Sequence, residues 1–342
     1  MSPPSRSTPP GCLGNRLSRR TAYAWPALVI TAALLLVNIT LDRSFLSAAN
    51  WAPILAVAMP FVVVSMAAVP SILSGSGGID LSIGPLSGLV NTVLVAGLFA
   101  HGYTSPALAL PAAVLIGASA GALNGVLVVL VRVPPIIATL GTYLVWSGLS
   151  LRIMPMSGGR APDWLIALNG SWAGVPLPIL PLLVIALVWW PLRQSAYGRN
   201  LLATGGDQRA AFTSGVQVDA VRLVAYTAGG ELAAMAGFAF TVALGSGDPL
   251  AANPYTLIGI AGAVLGGVSL SGGRGGLLGA AAGGAVLFLI QNLLSLAHVS
   301  SFYSQVAYGV ILILSLAINS FGADLRRRRD RAANAGIIGP VA

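Results

Sequence analysis

Two short stretches hold the polar residues whose spacing could do work in this chain: Gly-Gly-Ile-Asp-Leu-Ser-Ile-Gly at 77–84 and Gly-Gly-Asp-Gln-Arg-Ala-Ala-Phe-Thr-Ser-Gly at 205–215. In the second, Asp207 is placed to cap a helix, because its carboxylate can accept hydrogen bonds from the free amides of the following turn. The spacing predicts a short helix over 208–214, ended by Gly215 in the left-handed conformation. Ala210, Ala211 and Phe212 would give it a small apolar surface. A helix under two turns long is marginal alone. Either this is an ordinary structured loop, or a partner packs on Gly206, Asp207, Gln208, Arg209, Ala210, Ala211, Phe212, Ser214 and Gly215. Asp219 is expected to cap the helix that comes next.

In the first stretch, glycines such as Gly78 permit unwound backbone, and Asp80 with Ser82 can cap the helix that follows. Asp80 is expected near the end of two membrane helices, within reach of water. The segment reads either as a cap and turn or as a gate in a translocation path, where broken helices are common. Glu231 is the carboxylate well inside an apolar run, and such residues face a cavity or a polar partner.

Other chemistry has little to stand on. All 18 basic residues are arginine, so the chain has no lysine for a GxxxxGK[ST] phosphate loop. One cysteine, Cys12, excludes an intrachain disulfide, and no His/Cys cluster or nucleophile with its base is spaced for catalysis. No cofactor, metal site or enzyme activity is expected. The net charge of +9 does not point to nucleic acid, since the arginines fall where membrane topology would place them.

These residues must be positioned by membrane helices. The chain of 342 residues is 56% hydrophobic and 8% charged, against roughly 25% charged in a soluble domain. The expected fold is all-α and polytopic, with about ten transmembrane helices over 23–41, 52–73, 81–100, 106–131, 134–153, 175–192, 223–244, 255–270, 277–297 and 303–321. With the N-terminus cytosolic, fifteen of the 18 arginines fall inside and only Arg43, Arg152 and Arg160 outside. An even number of crossings then returns the Arg326–Arg329 run to the cytosol. Residues 1–21 read as a disordered basic tail, 22–322 as the transmembrane domain with a cytosolic loop at 193–222, and 323–342 as a second basic tail.

The loop 205–222 resembles the cytosolic loop of bacterial ABC-importer permeases of the ribose/xylose/galactoside type, in the branched-chain permease superfamily. It matches their Gly-Asn-x-x-Ala-Ala-x-x-Ser-Gly-Ile pattern at Gly206, Ala210, Ala211, Ser214 and Gly215, with Asp207 for Asn and Val216 for Ile. In the same order along the chain, 77–84 is similar to that family's Gly-Gly-Ile-Asp-Leu-Ser-x-Gly signature. Residues 134–142 (Pro-Pro-Ile-Ile-Ala-Thr-Leu-Gly-Thr) resemble its Pro-Pro-Phe-Ile-Ala-Thr-Leu-Gly-Thr stretch, and 265–276 its Gly-Gly-x-Ser-Leu-x-Gly-Gly-Arg-Gly segment.

The resemblance implies a bacterial inner-membrane subunit with no catalysis of its own. A separate ATPase would seat 207–215 as a coupling helix, a second permease chain, identical or paralogous, would complete the path, and a periplasmic or extracellular solute-binding protein would deliver the sugar. The turn holding Gly272, Gly273 and Arg274 is either a plain cytosolic turn or a further ATPase contact. The outer loop 154–174 is either anchored at the membrane surface by Trp164 and Trp172 or a docking surface for the binding protein, with Arg160 and Asp163 pairing across the contact. Two departures stand out: Glu231 where the family often has an apolar residue, and Tyr255-Thr256-Leu257 where many relatives have Glu-Leu-Asp. The rival reading is an ion-coupled secondary transporter, for which Glu231 is the sole intramembrane support.

Overall fold

Apolar runs separated by Gly- and Pro-rich breaks fold into a helical bundle. The computed structural model describes residues 23–300, 303, 306–310 and 313. Helix α1 (Trp25–Leu41) is followed by α2 (Ala48–Ala67), which runs on into α3 (Val69–Leu73). After an irregular segment, α4 (Ile83–Thr92) continues through a π-helical turn at Val93–Leu98 and a 3-10 turn at Phe99–His101. Then come α5 (Pro106–Val129), α6 (Pro135–Ile153), the short α7 (Asp163–Ala167), α8 (Leu180–Gln194), α9 (Ala196–Gly206) and α10 (Gln208–Thr213). The long α11 (Val218–Leu244), α12 (Tyr255–Leu265) and α13 (Leu277–Leu296) follow.

Among the described residues, seven helical segments are long and apolar enough to cross a membrane. They coincide with the second to seventh and the ninth predicted spans. The first and eighth correspond to the shorter apolar helices Trp25–Leu41 and Tyr255–Leu265. The second of these stops early because Gly266 and Gly267, the latter at φ +82°, turn the backbone out of the helix. The tenth expected span lies largely outside the described residues, as do both expected tails and the Arg326–Arg329 run. The expectation of purely helical structure needs one amendment. Ser171–Trp172 pairs antiparallel with Val175–Pro176 across a turn at Ala173 and Gly174, both with positive φ, the geometry favoured in two-residue hairpins.

Helix α11 occupies the centre, packed against α2, α4 and α5. Small residues let it do so: a Cβ built on Gly117 of α5 would lie 2.6 Å from both the Gly230 carbonyl oxygen and the Ala234 Cβ of α11. Without water to drive apolar faces together, close backbone approach of this kind is what membrane helices use. Polar bonds tie the same neighbours. Ser87 Oγ donates to the Ala233 carbonyl at 2.8 Å, and Asn91 Nδ2 to Thr241 Oγ1 at 3.0 Å. Asn292 Nδ2 donates to Asn38 Oδ1 at 2.8 Å, joining α13 to α1. The peripheral helices are the reverse: α6 exposes Ile137, Leu144 and Val145, and α8 exposes Leu183, Leu187, Val188 and Trp190. That is an inside-polar, outside-apolar arrangement suited to a lipid solvent.

Overpacking the α5–α11 contact should cost about 1–3 kcal/mol or more. Gly117→Val is therefore expected to lower the thermal midpoint of the detergent-solubilised protein. Gly141→Ala, where a Cβ meets nothing within 4 Å, should leave it unchanged.

Candidate functional site

The helix run that ends at Leu73 is broken by three successive left-handed residues, Gly75 (φ +76°), Ser76 (φ +52°) and Gly77 (φ +67°). A side chain tolerates this region poorly, so the glycines on either side of Ser76 make the turn feasible. The backbone then folds on itself, Gly78 N–H donating to Gly75 O at 3.0 Å and Ile79 N–H to Gly77 O at 2.7 Å.

Asp80 follows. It is not near water, as its position between two helices suggested: it is only 2% exposed, because α5 and α6 close over it. Its Oδ1 accepts from Ser82 N–H at 2.8 Å and from Ser82 Oγ at 2.7 Å. These bonds close a turn just ahead of α4 rather than capping that helix. Asn124 of α5 donates to Asp80 Oδ2 at 3.3 Å and to Ser82 Oγ at 2.8 Å. Thr142 of α6 in turn donates to Asn124 Oδ1 at 2.7 Å, and Thr139 to the Ile79 carbonyl at 3.3 Å. From the other side Thr256 of α12 donates to the Leu81 carbonyl at 3.0 Å and accepts from Gly84 N–H at 3.2 Å. A buried carboxylate without such donors would be very costly. The stretches 77–84 and 134–142 thus meet in one polar network.

The other two stretches meet beside it. Asp207 caps α10 as expected, its Oδ1 accepting from Arg209 N–H at 2.9 Å and Ala210 N–H at 3.0 Å. Gly215 lies at φ +84° and carries the chain out of the helix. Ala211 is buried, whereas Phe212 is 71% exposed, so the apolar surface of α10 points both ways. Asp219 is in the first turn of α11 and Gln217 holds the cap position; because α11 begins at Val218, the carboxylate meets the helix dipole there instead of capping.

At the α9–α10 corner, a Cβ on Gly205 would collide with the Leu73 carbonyl oxygen and the Gly273 nitrogen. A Cβ on Gly75 would lie 2.8 Å from Gly205 Cα, and one on Gly272 2.8 Å from Gly75 N. Gly273 N–H donates to Leu73 O at 3.2 Å, and Ser76 Oγ is hydrogen-bonded to Gln208 Oε1. Arg274 O accepts from Ser269 N–H at 3.0 Å, closing the turn that presents Gly272 and Gly273. Three backbones touch at one point, and α10 is bonded directly to the broken segment.

The remaining candidates lie apart. Arg160 Nη2 donates to Asp163 Oδ1 at 3.1 Å, three residues apart, and both side chains are largely exposed. Trp164 is no free anchor. Its Nε1 donates to Thr104 O at 2.6 Å and its ring stacks on Phe238. Trp172 is exposed. Glu231 is exposed on α11 and has no hydrogen-bond or ion-pair partner among the described residues. His101 and His298 are exposed as well.

Sequence reasoning missed Asn124, Thr139, Thr142 and Thr256. The signal for Asn124 was there, a lone amide inside the otherwise apolar α5, but nothing in a span says which neighbour it faces.

A bundle of apolar helices round a buried polar break defines a multi-pass membrane protein. The chain belongs to the family described as "Branched-chain amino acid transport system / permease component", whose model matches residues 53–316. It is similar to the ribose import permease RbsC of Bacillus subtilis, 35% identical over 249 residues, covering 71% of this chain and 77% of that protein. It is 34% identical over 245 residues to the D-allose transport system permease AlsC of Escherichia coli K12, covering 71% and 75%. It is 31% identical over 314 residues to the autoinducer 2 import permease LsrC of Escherichia coli, covering 89% and 88%. The superfamily read from the four stretches is borne out. No solved structure matches the chain.

The three-backbone contact yields a paired test. Gly205→Ala should lower the thermal midpoint, at a cost of about 1–3 kcal/mol, while Gly206→Ala, one residue on with nothing within 4 Å of a Cβ, should not.

Proposed function

We propose that this chain is the membrane subunit of an ATP-binding cassette importer in the bacterial cytoplasmic membrane. It passes a monosaccharide or related small polar solute inward by alternating access, with hydrolysis in a separate ATPase subunit. The observation that carries this reading is the direct hydrogen bond between α10 and the broken segment, through Gln208 and Ser76. In this reading the short capped helix α10, which displays Phe212, is what the ATPase grips, and whatever moves it moves the segment holding Asp80.

The division of labour follows. Phe212 enters a groove on the ATPase, Arg209 and Gln208 flank it, and Ala211 anchors the helix to this chain. The turn with Gly272, Gly273 and Arg274 backs the same corner. Gly78, Asp80 and Ser82 form the inner gate of the path, since unwound backbone at a helix break is where transporters place substrate and gate groups. Two permease chains, identical or paralogous, enclose the path, and the exposed Glu231 faces that shared interior, because a mid-span carboxylate against lipid costs several kcal/mol. On the opposite side a solute-binding protein docks at Arg160 and Asp163, whose solvated pair is worth at most about 1 kcal/mol and opens readily.

Proteoliposomes holding the chain with an ATPase and a binding protein should import radiolabelled ribose or allose only when ATP is supplied, and a protonophore should not slow them. Uptake driven by an ion gradient without ATP would overturn the reading in favour of a secondary transporter. Phe212→Asp should reduce ATP-dependent uptake by about tenfold or more, the loss of a buried aromatic anchor. Membrane insertion and the melting of the isolated chain should be unaffected, because that side chain touches solvent.

A further inference from the structure

Helix α11 is walled in by α2, α4 and α5, yet one face of it stays open. On that face Ala220, Val224 and Glu231 are exposed, and Thr227, Met235 and Phe238 are half-buried. Spacings of three and four residues stack all six along one side of the helix. The backing is tight, since a Cβ on Gly117 of α5 would lie 3.1 Å from Glu231 Cα. The face begins at a groove of about 550 Å³, within the ~300–1,000 Å³ typical of small-molecule sites. Ala220 and Val224 form its wall on α11, and Tyr197, Asn200, Ser214 and Gln217 bring uncharged hydroxyls and amides to it. At the other end Phe238 stacks on Trp164, with ring centroids 6.4 Å apart. Glu231 lies midway, two helical turns or about 10 Å from both Val224 and Phe238.

Lipid does not suit this face, because an unpartnered carboxylate at mid-span is costly there. A second copy seated directly on it does not suit it either. In the two-fold pairing usual for identical chains, the stripe would meet itself and set two carboxylates against each other, which is repulsive. A neutral sugar fits what the face offers. Its rim carries hydroxyl donors, which a carboxylate accepts in charge-assisted bonds. Its C–H groups form apolar patches that lie well against an aromatic ring. A phosphorylated or carboxylated solute would instead meet Glu231 with like charge, and none of the other five positions is cationic.

We propose that the open face of α11 is the solute track, and that Glu231 is its specificity-determining residue: it accepts hydrogen bonds from a neutral polyhydroxylated solute and turns anionic ones away. The Phe238–Trp164 pair is the first station, Glu231 the second, and the groove beside α10 the exit. This assignment rests on the importer reading for its direction of travel. It also accounts for the departure at position 231, where an apolar residue is more usual in the family. An exposed side chain there alters which solutes pass and leaves the packing of the bundle alone.

Thiol labelling of the full-length chain in liposomes tests this without an ATPase or a binding protein. In a Cys12→Ser background, Thr227→Cys, Glu231→Cys and Met235→Cys should react with a membrane-impermeant methanethiosulfonate. Leu144→Cys and Leu187→Cys, on the exposed apolar sides of α6 and α8, should not. Adding Glu231→Gln to Thr227→Cys should speed the anionic sulfonate reagent relative to the cationic ammonium reagent by about threefold or more, the effect of one charge a few ångströms away in water. D-Ribose or D-allose at high concentration should slow labelling of Met235→Cys by about threefold or more, through bonds to the carboxylate. Gluconate should give no such protection. Adding Glu231→Leu should abolish the protection by sugar, and Glu231→Asp should keep it. Stripe cysteines as unreactive as the two controls would overturn the track, and disulfide-linked dimers of Glu231→Cys would make the face a contact between chains instead. Reactive cysteines that neither sugar protects, or that gluconate protects equally, would remove the role of Glu231 in selectivity. Ion-driven uptake without ATP would defeat the importer reading and leave the labelling pattern intact, whereas unreactive cysteines would leave ATP-driven uptake standing.

Discussion

Gly205 is the point on which the arrangement hinges, because three backbones share a space there that admits no side chain. The α9–α10 corner, the end of the α2–α3 helix run and the 269–276 turn approach each other until a single Cβ would overlap a carbonyl oxygen. Contacts this close cannot slide independently, since interiors packed without voids transmit displacement instead of absorbing it. The consequence reaches outward in two directions. Toward the exposed side, α10 displays Phe212; toward the interior, the Leu73 end leads within a few residues to Asp80.

The polar interior follows from that geometry. Breaking a helix within the bundle frees backbone groups that lipid cannot satisfy, so neighbouring helices must supply the missing partners. Thr139 of α6 and Thr256 of α12 do this for the Ile79 and Leu81 carbonyls, while Asn124 of α5 bonds the Asp80 and Ser82 side chains and is itself held by Thr142 of α6. They come from stretches with almost no charge, which suits their task. A hydroxyl or amide can bond a neighbour in either of two arrangements at small cost, whereas a second carboxylate would fix one of them by repulsion. The chain keeps its charges sparse inside, and Asp80 is sealed there among neutral hydroxyl and amide partners.

Much of the architecture was legible in the residues. Apolar runs gave the positions of nine described helices because a bilayer-length run has few alternatives. The α10 cap at Asp207 and its stop at Gly215 were legible because capping is local: donor and acceptor lie within four residues of each other. The hydrogen-bonded use of Asp80 was only half visible. Its bonds to Ser82 are local, but its burial comes from α5 and α6, more than forty residues away. The same distance hid Asn124. That Arg160 and Asp163 bond each other across three positions was likewise invisible, since the sequence gives their charges but not how the loop brings them together.

The amino-acid order alone determined that the protein lives in a membrane, that its breaks fall at Gly-rich turns, and that α10 is a capped helix, because hydropathy, φ restrictions and capping act over a few residues. Only the tertiary structure decided that four separated stretches form one connected unit and that Asp80 is sealed from water. Those facts depend on which helix faces which, and helix orientation inside a bundle is set by packing of small residues against distant backbones, a property no local window contains.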